Sequence, residues 1–249
     1  MKNTKYLCIW GLPIMWSIYL IFELITGRIE NTPVIVGNIF LIILFALIGL
    51  VIYKYSKKYS SGFSTKSITF IFLLLMLIDQ GIKIIIKLFF FDKYIPIING
   101  FLSFNPIINT DGSWLNARFG TNVSFTLLIS INIIALILFL EIYRYLTNKS
   151  IKSFWSDMCF LFIISGALCS LIDKIFYGGS LDFIGIGNLF IADIKDIYIN
   201  LGILFFAISC YDSGYLNSDE NTTFKEDLEL LGKFFKFIVN DIKKIFKRK

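Results

Sequence analysis

Six long runs of apolar residues divide the sequence, and their length constrains the fold more than any other feature. A helix rises about 1.5 Å per residue, so about 20 apolar residues cross a hydrocarbon core about 30 Å thick. Each run is long enough for that crossing, which predicts an integral membrane protein. The runs cover residues 6–27, 34–53, 67–90, 123–143, 155–176 and 189–211.

The composition excludes most other classes of protein. Of the 249 residues, 17% are charged, whereas a soluble domain carries about 25%. With 56% hydrophobic residues and 27 Phe, the chain is too apolar to stay disordered. The sequence has no His, which excludes His-based triads and zinc–His sites. The four Cys lie in or beside the apolar runs without CxxC spacing, so we expect no metal site and no cofactor.

The basic residues predict the orientation of the spans. They are concentrated in alternate connections, after the second run (Lys54, Lys57, Lys58, Lys66), after the fourth (Arg144, Lys149, Lys152) and at the C-terminus. The positive-inside rule therefore predicts that both termini are cytoplasmic and that segments 28–33, 91–122 and 177–188 are outside. This placement of the net charge of +6 favours membrane lipids as partners and argues against nucleic acid.

The C-terminal segment has a different pattern. Residues 212–223 are polar and predict a linker. Apolar residues then recur at spacings of three and four, with lysines between them, which predicts a basic amphipathic helix on the inner leaflet. A solubilising tail that packs on the helical bundle is the alternative. The apolar positions are Leu228, Leu231, Phe235, Ile238, Ile242 and Ile245.

Charged residues inside the apolar runs are costly and usually face a bundle interior. Asp79 and Lys83 are spaced i, i+4, so they can form an ion pair that either serves a site or only positions helices. Asp193 and Asp196 share one helical face at the start of the sixth run. Asp193 at that position can also be a simple helix N-cap.

Asp182 and Asp196 flank a connection of 13 residues at the end of the bundle. If they face each other in a partly dry cleft, they cannot both ionise easily, so one keeps a proton. The ionised carboxylate can activate water, and the protonated carboxyl can donate to a scissile carbonyl. This pattern predicts an aspartic peptidase, with a proton-coupled transporter as the alternative.

Several short segments resemble the ordered motifs of one family, the lipoprotein signal peptidases or signal peptidase II. Asp79-Gln80-Gly81-Ile82-Lys83 resembles Asp-Gln-x-x-Lys, and 95–102 resembles Ile-Pro-Val-Ile-x-Gly-Phe-Phe. The segment 109–114 resembles Asn-Thr-Gly-Ala-Ala-Phe, and 166–174 resembles Gly-Ala-x-Gly-Asn-x-x-Asp-Arg. Leu181-Asp182-Phe183 is similar to Val-Asp-Phe, and 192–196 takes the place of Phe-Asn-x-Ala-Asp.

This resemblance implies an all-α membrane protein with six transmembrane helices and a C-terminal amphipathic helix. The last four membrane helices form a signal-peptidase-II-like bundle with a small extracytoplasmic β region. The implied activity is an aspartic endopeptidase of the bacterial cytoplasmic membrane, whose site near the extracytoplasmic face cleaves prolipoproteins before a diacylglyceryl-modified Cys. Asp182 and Asp196 match the catalytic pair. The positions that line or brace the site are Asp79, Lys83, Asn109, Gly112, Ser170, Asp173, Lys174 and Asp193.

The chain departs from the family pattern at several of these positions. Asp193 replaces an Asn, and Lys174 replaces an Arg but lacks its bidentate fork. Asp111 is an extra residue, and the connection between Asp182 and Asp196 is short. A catalytically idle relative that binds lipoproteins or signal peptides is therefore the second reading. We expect a monomer with two extra helices in 1–60, a catalytic core in 61–212, and a linker and tail in 213–249.

Overall fold

The computed structural model describes residues 2–29, 31–112, 114–121, 123–149, 151–213 and 224–247. Helices dominate this part of the chain, and six of them are long and apolar enough to cross a membrane. The predicted number of spans is therefore confirmed. The helices are α1 (Lys2–Ile25), α2 (Thr32–Lys58), α3 (Thr65–Ile85), α4 (Trp114–Phe119), α5 (Phe125–Asn148), α6 (Phe154–Phe176), α7 (Ile194–Asp212) and α8 (Phe224–Lys247).

Serine residues mark the start of three membrane helices. The side chains of Ser64, Ser124 and Ser153 accept hydrogen bonds from backbone N–H groups in the first turns of α3, α5 and α6. These bonds satisfy donors that a helix start leaves without an intrahelical partner. At its other end, α3 continues as a π-helical turn over Ile86–Phe90.

Two connections between helices form a four-stranded antiparallel sheet: the connection from α3 to α4 supplies two strands, and the connection from α6 to α7 supplies the other two. Its strands are β1 (Ile95–Ile98), β2 (Leu102–Asn109), β3 (Ser180–Ile186) and β4 (Phe190–Ala192), and they neighbour one another in that order. The central pairing joins β2, from the connection after α3, to β3, from the connection after α6. The predicted small β region is thus present.

The sixth membrane helix begins later than the apolar pattern predicts. The apolar run predicts a start at residue 189, but α7 begins at Ile194. Phe190, Ile191 and Ala192 pair with β3 instead. Hydropathy does not distinguish a short buried strand from the first turn of a helix, so the long-range pairing decided this boundary.

Two glycines allow α6 and α7 to pack closely. A Cβ on Gly166 would lie 2.8 Å from Ile199, and a Cβ on Gly202 would lie 2.6 Å from Ile163. Small residues at such contacts let helix backbones approach each other in membranes. This contact brings the carboxyl-bearing end of α6 next to the start of α7.

The connections between helices meet in two groups. Arg28, after α1, contacts the β3–β4 turn, and Arg118 of α4 contacts Thr26. The backbone N–H of Phe154 instead bonds Ser60, which joins the connections before α3 and α6. The sheet and the α1–α2 connection therefore lie at one end of the bundle.

The amphipathic helix α8 packs against the end of α5. Arg144 forms an ion pair of 2.7 Å with Asp241, and Tyr145 stacks edge-on with Phe234 and Phe237. Another face of α8 exposes an apolar stripe. Of the predicted linker 212–223, Asp212 ends α7 and residues 214–223 lie outside the described residues. The contact with the inner leaflet stays a prediction. The stripe contains Leu228, Leu231, Phe235, Val239 and Ile242.

Candidate active site

A fully buried lysine connects three elements at the centre of the site. The ammonium of Lys83 lies 2.9 Å from Asp79 on α3, 2.6 Å from Asp173 on α6 and 2.5 Å from Asp193 before α7. All four side chains are excluded from solvent. Removing one partner from such a pair leaves a buried charge uncompensated, at a cost of about 3–5 kcal/mol. The pairs of Lys83 with Asp173 and Asp193 thus join α3 to α6 and to the start of α7.

Gln80 adds neutral hydrogen bonds to the same group. Its side-chain amide donates to Asp79 over 2.9 Å and to Asp173 over 3.1 Å. On Asp173 the amide bonds Oδ1, whereas Lys83 contacts Oδ2. On Asp79 the amide and the Lys83 ammonium share Oδ2. Asp79, Gln80 and Lys83 therefore belong to a single polar cluster.

Asp182 lies on β3 and is almost completely buried. The side-chain amide of Asn109, at the end of β2, donates to its Oδ2 over 2.9 Å, and Ser180 donates to its Oδ1. Burial raises the pKa of Asp182 above its usual range, because desolvation penalises the charged form. The pairing of β2 with β3 brings Asn109 and Asp182 together.

Asp193 and Asp196 form a reciprocal cap at the start of α7. Each side chain accepts a hydrogen bond of 3.2 Å from the backbone N–H of the other. Asp193 is therefore an N-cap and also a partner of Lys83, so the two interpretations of this residue hold together. Burial acts to raise the pKa of Asp193, but the ammonium groups of Lys195 and Lys83 outweigh it and lower that pKa.

Lys195 is a central residue of the site that the sequence reading missed. Its ammonium lies 2.6 Å from Asp193, 3.6 Å from Asp182 and 3.9 Å from Asp196. It also donates to Ser180 over 2.5 Å. Two features of the sequence could have indicated Lys195: it is charged in the first turn of a membrane helix, and it replaces the Ala of the motif that this segment resembles.

Carboxylate oxygens of Asp182, Asp193 and Asp196 all lie within 4.8 Å of one another. Such a group has the spacing of cation ligands, and the Lys195 ammonium supplies the positive charge there. Asp182 is buried, whereas 42% of the Asp196 side chain is exposed. Asp182 and Asp196 thus combine one enclosed carboxyl with one that solvent or a ligand can reach.

Three other predicted site residues, Lys174, Ser170 and Gly112, make direct contacts with residues other than the three carboxylates. The Lys174 ammonium donates to Ser170 one turn earlier, over 2.6 Å, so these two residues pair with each other. Gly112 adopts a positive φ of 70° and a Cβ there would meet Phe125 and Leu128. It lies in the connection between β2 and α4 and packs against the first turn of α5, and Ser113 beside it lies outside the described residues.

The fold and these contacts define a multi-pass membrane protein with an ionisable cluster at one end of its bundle. The sequence model of the family described as signal peptidase (SPase) II matches residues 71–211, more than half of the chain. The chain therefore belongs to the signal peptidase II family, a family of membrane peptidases. The match leaves α1, α2 and α8 outside, and these three helices are referred to as the additional helices.

Two known proteins resemble the chain. The lipoprotein signal peptidase of Fusobacterium nucleatum is 30% identical over 139 residues, which are 54% of this chain and 80% of that protein. A solved bacterial membrane enzyme superposes with a TM-score of 0.51 at 23% identity, covering 66% of this chain and 98% of the other. At that identity, the structural likeness concerns the fold alone.

Proposed function

We propose that this protein is an aspartic endopeptidase that removes the signal peptide from prolipoproteins whose Cys carries a diacylglyceryl group. The observation that carries the proposal is the approach of the Asp182 and Asp196 carboxylates to within 4.8 Å, with one enclosed and the other accessible. Membership of the signal peptidase II family and the similarity to a lipoprotein signal peptidase support the substrate class.

In the proposed reaction the two carboxyl groups share one proton. The ionised carboxylate takes a proton from a water molecule, whose oxygen attacks the scissile carbonyl carbon. The protonated carboxyl donates to the carbonyl oxygen, which gives a gem-diol intermediate. Its C–N bond then breaks as the leaving amine takes the proton that the first carboxyl removed from water. A gem-diol hydroxyl returns a proton to the second carboxylate, which restores the shared proton. Asn109 and Ser180 orient the Asp182 carboxyl by direct hydrogen bonds.

Asp79, Lys83 and Asp173 have a bracing role in this proposal, because they contact one another and Asp193. Asp173 also contacts Lys195 and Ser180, which lie beside the carboxyl pair. Placement of the site near the extracytoplasmic face follows from the positive-inside rule. The division into two extra helices in 1–60, a core in 61–212 and a tail in 213–249 also stays a prediction.

The test is a cleavage assay in detergent on a diacylglyceryl-Cys prolipoprotein, with Asp182→Asn and Asp196→Asn compared with the parent. We expect each variant to lose at least about 10³-fold in kcat, because each removes one partner of the acid–base pair. Asp92→Asn, which changes an exposed carboxylate in the α3–β1 connection, is the matched control and keeps parental activity. Full cleavage by either site variant contradicts the proposal.

A catalytically idle relative that binds lipoproteins or signal peptides is the second candidate. The specific observation in its favour is Lys195, whose ammonium lies beside both carboxylates and stabilises their ionised forms. An enzyme with both carboxylates ionised lacks the general acid. Failure of the folded parent to cleave, in an assay where a related enzyme cleaves, supports this candidate.

A further inference from the structure

The turn between β3 and β4 is held by Arg28, which lies in the connection between the two additional N-terminal helices α1 and α2. The guanidinium of Arg28 donates to the backbone carbonyls of Leu189 over 2.8 Å and Asn188 over 3.1 Å. The Asn188 side-chain amide donates in return to the Arg28 carbonyl over 3.0 Å. Polar bonds therefore run in both directions between the α1–α2 connection and this turn.

Apolar contacts reinforce the same junction. Leu20, Ile29 and Val34 from α1, the connection and α2 form one buried cluster with Ile186 and Leu189. Gly187 between them has a positive φ of 53°, and a Cβ there would lie 2.9 Å from Val34. The turn is thus packed directly against the N-terminal helices, with no room for a side chain at Gly187.

Glu23 extends the junction to a second segment. This fully buried carboxylate lies 3.4 Å from Arg28 and 3.5 Å from Arg118 on α4. Arg118 also donates to Thr26 over 3.1 Å. The Arg118 helix follows β2, which carries Asn109, so the N-terminal helices hold the continuations of both β2 and β3.

The turn is short and connects the two carboxylates of the candidate site. Asp182 lies on β3 before it, and Asp196 follows β4 after it. A displacement of the turn therefore moves these side chains relative to each other, and errors of about 1 Å in reacting groups cost about 100-fold in rate.

We propose that the additional N-terminal helices are a positioning element of the active site, with Arg28 and Glu23 as the residues that hold the β3–β4 turn. The inference rests on the proposed function of Asp182 and Asp196. It assigns a role to α1 and α2, which lie outside the residues that the family model matches.

The experiment compares Arg28→Met with Arg144→Met in the full-length protein. Arg144 is the matched control because it also pairs with a buried glutamate, Glu141, and its second partner Asp241 lies at the distant α5–α8 contact. We expect Arg28→Met to lower kcat on the diacylglyceryl-Cys substrate by about 10- to 100-fold, with KM changed less than about twofold. Arg144→Met keeps the parental kcat.

Hydrogen exchange provides a readout that does not depend on activity. The Gly187 and Leu189 amides bond to Phe101 and Ile186 in the parent, and we expect them to exchange at least about tenfold faster in Arg28→Met than in Arg144→Met. If the parent does not cleave but Arg28→Met exchanges faster than Arg144→Met, the hold on the turn is supported and the proposed peptidase is contradicted. Parental exchange, or faster exchange with unchanged kcat, overturns the positioning role.

Asn188→Ala and Arg28→Lys separate positioning from folding. Asn188 is exposed and its loss removes one bond from the turn, so we expect a smaller fall in kcat at parental thermal stability. Lys cannot reproduce the fork of Arg28 over two carbonyls, and its kcat should fall between those of the parent and Arg28→Met. Parental kcat in both variants contradicts the proposal, even if Arg28→Met does not fold.

Discussion

Lys195 and Asp193 are the two residues that most alter the electrostatics of the site. They lie 2.6 Å apart, and both are buried. The motif that this segment resembles has neutral residues at both positions, Asn at 193 and Ala at 195. The chain therefore replaces two neutral residues by a pair of opposite charge, in which each change compensates the other.

We expect Lys195→Met to move both limbs of the pH–rate profile to higher pH, by about one unit or more. An ammonium stabilises ionised carboxylates, so its loss raises the pKa of the pair, and burial already raises the pKa of Asp182. The charged groups near Lys195 are Asp173 and Lys174 from α6, Asp182 from β3, Asp193 before α7 and Asp196 on α7, with Lys83 behind them.

The measurement is kcat/KM against pH for Lys195→Met and for Lys93→Met, an exposed lysine in the connection after α3. The double variant Asp193→Asn/Lys195→Ala restores two neutral residues, and we expect it to be more active than either single change. A profile that does not move, or moves to lower pH, contradicts the role of Lys195. Additive losses in the double variant contradict compensation.

At the scale of elements, the contact between α6 and α7 decides which residues form the site. Gly166 and Gly202 allow the two helices to approach. That approach places Asp173, at the end of α6, 3.4 Å from Lys195 on α7. A wider spacing would separate the anchoring carboxylate from the capped start of α7.

Gly202→Ala should lower the thermal unfolding midpoint by about 2–8 °C. The new Cβ would lie 2.6 Å from Ile163 Cδ1 and 3.1 Å from its backbone nitrogen, and such overpacking costs about 1–3 kcal/mol. Gly81→Ala is the matched control in α3, because its Cβ would meet nothing within 4 Å. Equal midpoints for the two variants, measured in the same detergent, would argue against a close α6–α7 contact in solution.

At the scale of the whole molecule, the two groups of connections are consistent with alternating spans. Contacts join the α1–α2 connection to the sheet end and the α2–α3 connection to the start of α6. Since the second group carries most of the basic residues between spans, it belongs in the cytoplasm by the positive-inside rule. The rule then predicts that the candidate site lies at the extracytoplasmic end.

Single cysteines test this orientation in a background that lacks the four native Cys. We expect a membrane-impermeant maleimide to label Asp92→Cys in intact spheroplasts, and to label Lys57→Cys only after permeabilisation. Both positions are exposed in connections or at helix ends, so access differs by membrane side and not by burial. The reverse pattern would place the site in the cytoplasm and contradict the predicted topology.

Local sequence determined the six spans, because the apolar run that crosses a bilayer is a property of about 20 consecutive residues. It also determined that Asp79 and Lys83 pair, since their spacing places them on one helical face. The motifs around Asp182 and Asp196 indicated the family that the comparison confirms. The sequence predicted only in part which motif residues contact one another, because Ser170 and Lys174, both predicted to line the site, pair with each other.

Tertiary structure decided the rest, because the remaining features depend on contacts between distant segments. The β3–β4 pairing shortened the sixth span, and the meeting of α3, α6 and α7 placed Lys195 among the carboxylates. The hold of Arg28 on a turn 160 residues away is of the same kind. A charged side chain in an apolar run needs a partner, but only packing between distant helices specifies which partner it obtains.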